Sequence, residues 1–279
     1  ITPEKVGIPP RDHRRGHPPA DAVEAQRGER EDAAEEKVEA EEEAELALHD
    51  NRERLGKLQY KQYSDGRYAV LAVLQAMDGG GKDGTIRHVF TAFNPQGCRV
   101  VSFKAPTSEE LKRDYLWRVH YHVPQRGEVG VFNRSHYEDV LVVRVKELVP
   151  KAQWSARYAQ INDFERMLTE NGTRIVKFFL HISKDEQRKR FEARLAEPRK
   201  QWKFNPDDLE TRRAWGAYLK AYEDALSRCS TDNAPWYAIP ADRKWFRNFA
   251  VSQVLRQTLE SLPLRYPRPS YDPGKIRIP

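Results

Sequence analysis

The chain has 279 residues, 39% of them hydrophobic, and a mean hydropathy of −0.83; this allows one domain of ordinary size plus extensions, and no run approaches the ~18 apolar residues of a membrane-spanning helix. Cys98 and Cys229 are the only cysteines and cannot form a disulfide framework, and the opening Ile1-Thr2-Pro3-Glu4-Lys5 lacks a signal-peptide layout, so a reducing cytoplasm is the expected location. The net charge of +6 hides an asymmetry: residues 31–50 hold ten acids and one base, a local −9, which leaves +15 elsewhere and points to an anionic partner such as nucleotide, nucleic acid, polyphosphate or anionic lipid.

Residues 1–20, rich in Pro, Arg and His without an apolar period, read as a disordered arm. The acidic run after it is rich in Ala and Glu and reads as a helix, either a solvated face or one docking by its C-terminal half, where Val38, Leu46, Leu48, Leu55 and Leu58 thicken. Together these form an expected N-terminal extension over 1–54, ahead of a folded domain over 55–265 and a tail over 266–279. From residue 68 strands and helices alternate. Tyr68 to Leu74 is a continuous apolar run between Asp65-Gly66 and Gly79-Gly80-Gly81, as in a strand buried on both faces. A helix is expected over 84–93, a strand over 99–103, and a helix opened by the capping box Thr107-Ser108-Glu109-Glu110 and running to about His120. A third strand over 129–132 precedes a helix near 136–147. Another helix over 157–170 ends at Asn171-Gly172. The fourth strand covers 174–182, the box Ser183-Lys184-Asp185-Glu186 opens a helix to about Leu195, and Asn205-Pro206-Asp207-Asp208 opens another. A short fifth strand over 236–239 and a helix over 242–262 close the domain. This alternation predicts an α/β fold: a doubly wound, five-stranded parallel sheet with flanking helices and a helical lid at about 184–234.

Ligands of such sheets lie at the carboxyl ends of strands, which directs attention to Ala76-Met77-Asp78-Gly79-Gly80-Gly81-Lys82-Asp83-Gly84-Thr85. Glycines let successive N–H groups face one concavity, the following helix adds partial positive charge at its start, and Lys82 adds a full charge. That combination predicts a phosphate-binding loop formed by Gly79, Gly80, Gly81, Lys82, Asp83, Gly84 and Thr85. It departs twice from the strict P-loop pattern, with Ala76 at the first Gly and Asp83 at the Ser/Thr. After the third strand comes Asn133-Arg134-Ser135. Asn133 stands where P-loop kinases put an acid to hold the Mg²⁺ shell, so Glu138, Asp139 or Asp78 is the expected source of carboxylate, and Arg134 faces phosphate charge.

These segments resemble the polyphosphate kinase 2 family. The resemblance rests on Leu74 to Thr85, Phe103-Lys104-Ala105-Pro106 with Trp117-Arg118, Phe132 to Ser135, Ala234-Pro235-Trp236-Tyr237, and Ile239-Pro240-Ala241-Asp242. It implies a P-loop kinase fold like that of thymidylate kinase, Mg²⁺ (or Mn²⁺) dependence, polyphosphate as donor to AMP or ADP, and homo-oligomers. It also implies Asp78 and Lys82 as the central pair, Lys104 and Arg118 as further phosphate or nucleotide contacts, and, through Asn133, the subgroup acting on both AMP and ADP. A basic stretch points the same way: of ten cations over 184–213, Arg194, Arg199, Lys200 and Lys203 are the expected polyphosphate contacts on the lid. An ATP-dependent nucleoside or nucleotide kinase of the same fold and a non-enzymatic nucleic-acid binder remain the alternatives, although no nucleic acid or membrane partner is expected. His120, His122 and His136 read as surface residues, and Trp202, Trp215, Trp236 and Trp245 as core or lid packing.

Overall fold

The computed structural model describes residues 20–278, with side chains from Glu36 onward except Lys37. The arm expected over 1–20 lies almost wholly outside the described residues. Helix α1 spans Ala20–Asp65 and runs through residues 54 and 55 without a break. Its Asn51 is buried and donates to Ser252 Oγ (3.0 Å) and Gln253 Oε1 (3.1 Å). Strand β1 is Ala69–Gln75, helix α2 Lys82–Val89, β2 Cys98–Ser102, α3 Trp117–His120, β3 Val129–Asn133, α4 Val142–Val145 and α5 Lys151–Glu170. Then follow β4 Thr173–His181, α6 Lys184–Ala196, α7 Asp208–Arg213, α8 Trp215–Cys229, β5 Trp236–Pro240 and α9 Lys244–Glu260.

The five strands form one sheet in the order β2-β3-β1-β4-β5, parallel throughout. This is the fold class that the alternation predicted. Every residue of β1 is buried, and its side chains alternate between two cores because successive residues of a strand point to opposite faces. Val70, Ala72 and Leu74 join Leu55 and Leu58 of α1, Val89 of α2, and Val251, Leu255 and Leu259 of α9. Leu71 and Val73 join Ile161, Phe164 and Leu168 of α5 with Tyr218, Tyr222 and Ala225 of α8. One face of α8, formed by Tyr218, Ala221, Tyr222, Ala225 and Cys229, therefore belongs to the core, and the exposed lid narrows to the segment of α6, the 3₁₀ turn Pro198–Lys203, and α7.

Two expected helices are broken. The Thr107 capping box closes as expected, with Thr107 N–H on Glu110 Oε2 (2.7 Å) and Glu110 N–H on Thr107 Oγ1 (3.2 Å). Only the 3₁₀ turn Glu110–Lys112 follows, because Asp114 Oδ1 accepts from Leu116 N–H (3.0 Å) and starts a new turn before α3. The helix expected near 136–147 splits into a 3₁₀ turn over His136–Asp139 and α4. Here tertiary anchoring overrides propensity. His136 is not at the surface but fully buried, with Nε2 3.1 Å from Glu165 Oε1, which also accepts from Tyr137 Oη at 2.9 Å. Glu165 Oε2 pairs with Lys177 Nζ of β4, which also donates to Tyr137 Oη and Cys229 O, both at 2.7 Å. Conversely, α5 begins six residues before its expected start, with Pro150 as the residue that precedes its first turn.

Burial holds the Lys177 pKa below its ordinary value, opposed by Glu165. Removing the acid strands a buried cation: Glu165→Leu is expected to destabilise the domain by about 3–5 kcal/mol in urea unfolding. Adding Lys177→Met should recover part of that loss, and a double variant no more stable than the single would contradict the pairing.

Candidate active site

The loop between β1 and α2 doubles back tightly, with Gly80 N–H on Met77 O at 2.9 Å. Gly79 and Gly81 have φ of 78° and 100°, a left-handed backbone that favours glycine. Behind the loop, Gln187 Nε2 of α6 donates to Asp78 O (2.7 Å) and Arg190 Nη1 to Gly79 O (2.9 Å). Lys82 opens α2, is partly buried and donates to Ala76 O at 3.0 Å. Burial, and then the nearby Arg134 charge, push its pKa down, against Asp78, Glu138 and Asp83.

Strand β3 lies beside β1 with Asn133 opposite Leu74, and Arg134 N–H extends that pairing to Leu74 O at 3.0 Å. The register brings the two loops into contact: Asn133 Nδ2 donates to Asp83 Oδ1 (2.8 Å) and Arg134 Nη2 to Asp78 Oδ1 (2.9 Å). Arg134 takes a φ of 62°, a conformation that costs a side-chain-bearing residue energy and is held by its surroundings. Burial works against its cation, yet Glu138 and Asp78 hold its pKa above the ordinary value. Glu138 is fixed from below by the fully buried Gln75. With its nitrogen turned towards Glu138, the Gln75 amide donates to Oε1 at 3.0 Å and accepts from Ser135 N–H at 3.2 Å.

Asp78, Gly79, Gly80, Gly81, Lys82, Asp83, Asn133, Arg134 and Glu138 thus converge at the carboxyl ends of β1 and β3. Thr85 does not join them: it is fully buried, and its hydroxyl donates to Gly81 O at 3.2 Å inside the first turn of α2. Asp139 is also committed elsewhere, to Arg157 Nη1 at 2.9 Å, and burial raises its pKa to about 6. Arg118 is held by Glu110 (3.2 Å) and Lys104 O (2.7 Å), and the Lys104 side chain is exposed without an ion pair among the described residues.

On the lid, Arg199, Lys200 and Lys203 are exposed and make no ion pair among the described residues, while Arg194 Nη1 lies 4.0 Å from Asp208 Oδ2. Trp202 is 78% exposed rather than packed, its Nε1 donating to Arg199 O and Lys203 Nζ lying 5.1 Å from its ring centre. Other lid cations are neutralised locally, Arg188 by Glu192 and Arg190 by Glu186, each at 2.8 Å. Sequence reasoning missed Gln75, Gln187, Asp208 and Arg247 at or beneath the site. Only Gln75, a polar residue ending an otherwise apolar strand, carried a local signal.

Burial, and then the charge of Asp78, raise the Asp208 pKa from 3.8 to about 6, against Arg194, Arg134 and Lys82. Between those pH values the folded chain keeps a proton that the unfolded chain has lost. The contribution is therefore favourable below about pH 4 and disappears as pH rises through about 6. Asp208→Asn is expected to gain stability relative to the parent between pH 4.5 and 7, read as urea midpoints; parallel curves would contradict the raised pKa.

Residues 37–265 match the family model for polyphosphate kinase 2. The chain is 60% identical over 225 residues to an AMP/ADP-polyphosphate phosphotransferase of Meiothermus ruber, covering 81% of this chain and 84% of that protein. It is 54% identical over 227 residues to an ADP-polyphosphate phosphotransferase of Rhodopseudomonas palustris, covering 77% and 78%. The crystal structure of polyphosphate kinase 2 from Arthrobacter aurescens TC1 superposes with a TM-score of 0.82 at 45% identity over 84% of each chain. With a family-model match over residues 37–265 and a relative 60% identical over most of both chains, the chain belongs to the polyphosphate kinase 2 family.

Proposed function

We propose that this protein transfers phosphoryl groups reversibly between inorganic polyphosphate and ADP or AMP, with a divalent metal ion. The observation that carries the reading is the meeting of Lys82 and Arg134 at one glycine loop, beside a lid with exposed, unpaired cations. The attacking atom is a nucleotide phosphate oxygen, already ionised at neutral pH, so the reaction needs no strong general base. The barrier lies in bringing two polyanions into line, and fixed cations lower it by balancing their charge.

Lys82 is the cation for the transferring group and Arg134 for the phosphates beside it. Asp78 keeps Arg134 aligned while the loop is empty. The exposed cations Arg199, Lys200 and Lys203, with Arg194, give a long phosphate chain more contacts than one nucleotide triphosphate requires. The Meiothermus ruber relative is named for both AMP and ADP, which supports the wider acceptor range read from Asn133.

Asp78 and Glu138 fit a hard cation. Asp78 uses Oδ1 for Arg134 and Glu138 uses Oε1 for Gln75, which leaves Oδ2 and Oε2 to face a metal. Among the described residues no group of three or more His, Cys, Asp or Glu is placed to bind an ion. Two carboxylates completed by water and substrate phosphates suit Mg²⁺, or Mn²⁺ in its place. When bound, the ion supplies charge neutralisation on the phosphate oxygens.

Incubation with ADP or AMP, polyphosphate and Mg²⁺, with no ATP present, is expected to yield ATP or ADP, and chelation by EDTA should stop it. Lys82→Ala should keep its circular dichroism and lose ~10²–10³-fold in kcat. Turnover only with ATP as donor would instead favour an ordinary nucleotide kinase.

A further inference from the structure

A cation lies beneath the glycine loop on an element that the proposed chemistry does not use. Arg247, in the first turn of α9, is 2% exposed. Its guanidinium packs against the start of α2. A Cβ on Gly81 would land on Arg247 Nη1, and one on Gly84 would come within 3.1 Å of Nη2. Gly81 is thus required twice, by its backbone angle and by the guanidinium that fills its side-chain space.

The partners of Arg247 do not neutralise it. Nε and Nη2 donate to Asn248 Oδ1 at 3.1 and 2.8 Å, a neutral amide, and Nη1 donates to nothing among the described residues. No carboxylate pairs with it among them. The neighbouring Arg190, whose Nη1 lies 3.6 Å from the same Gly81 Cβ position, is neutralised by Glu186. Burial, and then Arg190, lower the Arg247 pKa to about 10. A buried charge without a counter-ion is costly, and its free donor sits where the first N–H groups of α2 also lack helical acceptors.

We infer that Arg247 is a polyanion-binding residue whose counter-charge is supplied by the phosphoryl groups held in the loop above it. The inference rests on the phosphotransfer reading and assigns the loop a second cation, beneath it, besides Lys82. The empty protein carries the cost of the bare charge, and binding of phosphate relieves it.

Asn248→Asp tests this without removing the arginine, because it places a carboxylate where Arg247 already donates twice. The probe is inorganic tripolyphosphate, followed by thermal melting and titration calorimetry on the full chain. Without ligand, Asn248→Asp is expected to melt at or above the parent temperature. Its Kd for tripolyphosphate should weaken about tenfold or more, with a smaller ligand-induced rise in Tm. Arg247→Gln should weaken binding to a similar degree. Gln257→Glu, the same charge change farther along α9, should leave the Kd within twofold.

Asn248→Asp binding tripolyphosphate within twofold of the parent would overturn the inference alone. So would equal weakening by Gln257→Glu, which would reduce the effect to net charge. A parent protein that does not bind tripolyphosphate would overturn the polyphosphate reading as well.

Discussion

Positive charges gathered to receive a polyanion repel one another before it arrives, and this constraint shapes the whole site. Lys82, after β1, and Arg134, after β3, come together at the glycine loop, and the effect is visible in Lys82, whose pKa burial and Arg134 together lower. Asp78, Asp83 and Glu138 answer it. Each holds a neighbour on the opposing loop or strand, and together they set the spacing of the cations.

That arrangement stands on parallel pairing of β1 with β3, which brings residues some fifty positions apart to adjacent strand ends. Beneath them, the buried group of His136, Tyr137, Glu165 and Lys177 pins the chain that leaves β3 immediately after Arg134. It breaks a helix that the sequence favours, two residues after the left-handed Arg134. Behind the loop, Gln187 and Arg190 fasten α6 to the carbonyls of Asp78 and Gly79. The start of α6 is therefore fastened to the glycine loop, and the segment beyond it carries the exposed Trp202 and cations that make no ion pair among the described residues.

The glycine loop, Asn133-Arg134 and the alternation of strands and helices were legible because their signals are local. An apolar run flanked by glycines and a lysine after three glycines do not depend on distant residues for their meaning. The fate of a charged residue does. Among ten cations over 184–213, nothing local separates Arg190, which buttresses the loop, from Lys200, which faces solvent. Asp139 and Glu138 are neighbours, yet one is committed to Arg157 and the other faces the site. His136 looked like a surface residue because its partner, Glu165, lies on a different helix.

The sequence by itself determined the class of fold and the glycine loop, since both follow from residue type and short-range spacing, and its motifs carried the resemblance to the family. Only the tertiary structure decided which charges neutralise each other and which stay bare. Electrostatic pairing acts through space over a few ångströms, and the ion pair at the site, Asp78 with Arg134, joins positions 56 residues apart. Strand register and helix docking set those distances, and Arg247 beneath Gly81 is the residue for which they matter most.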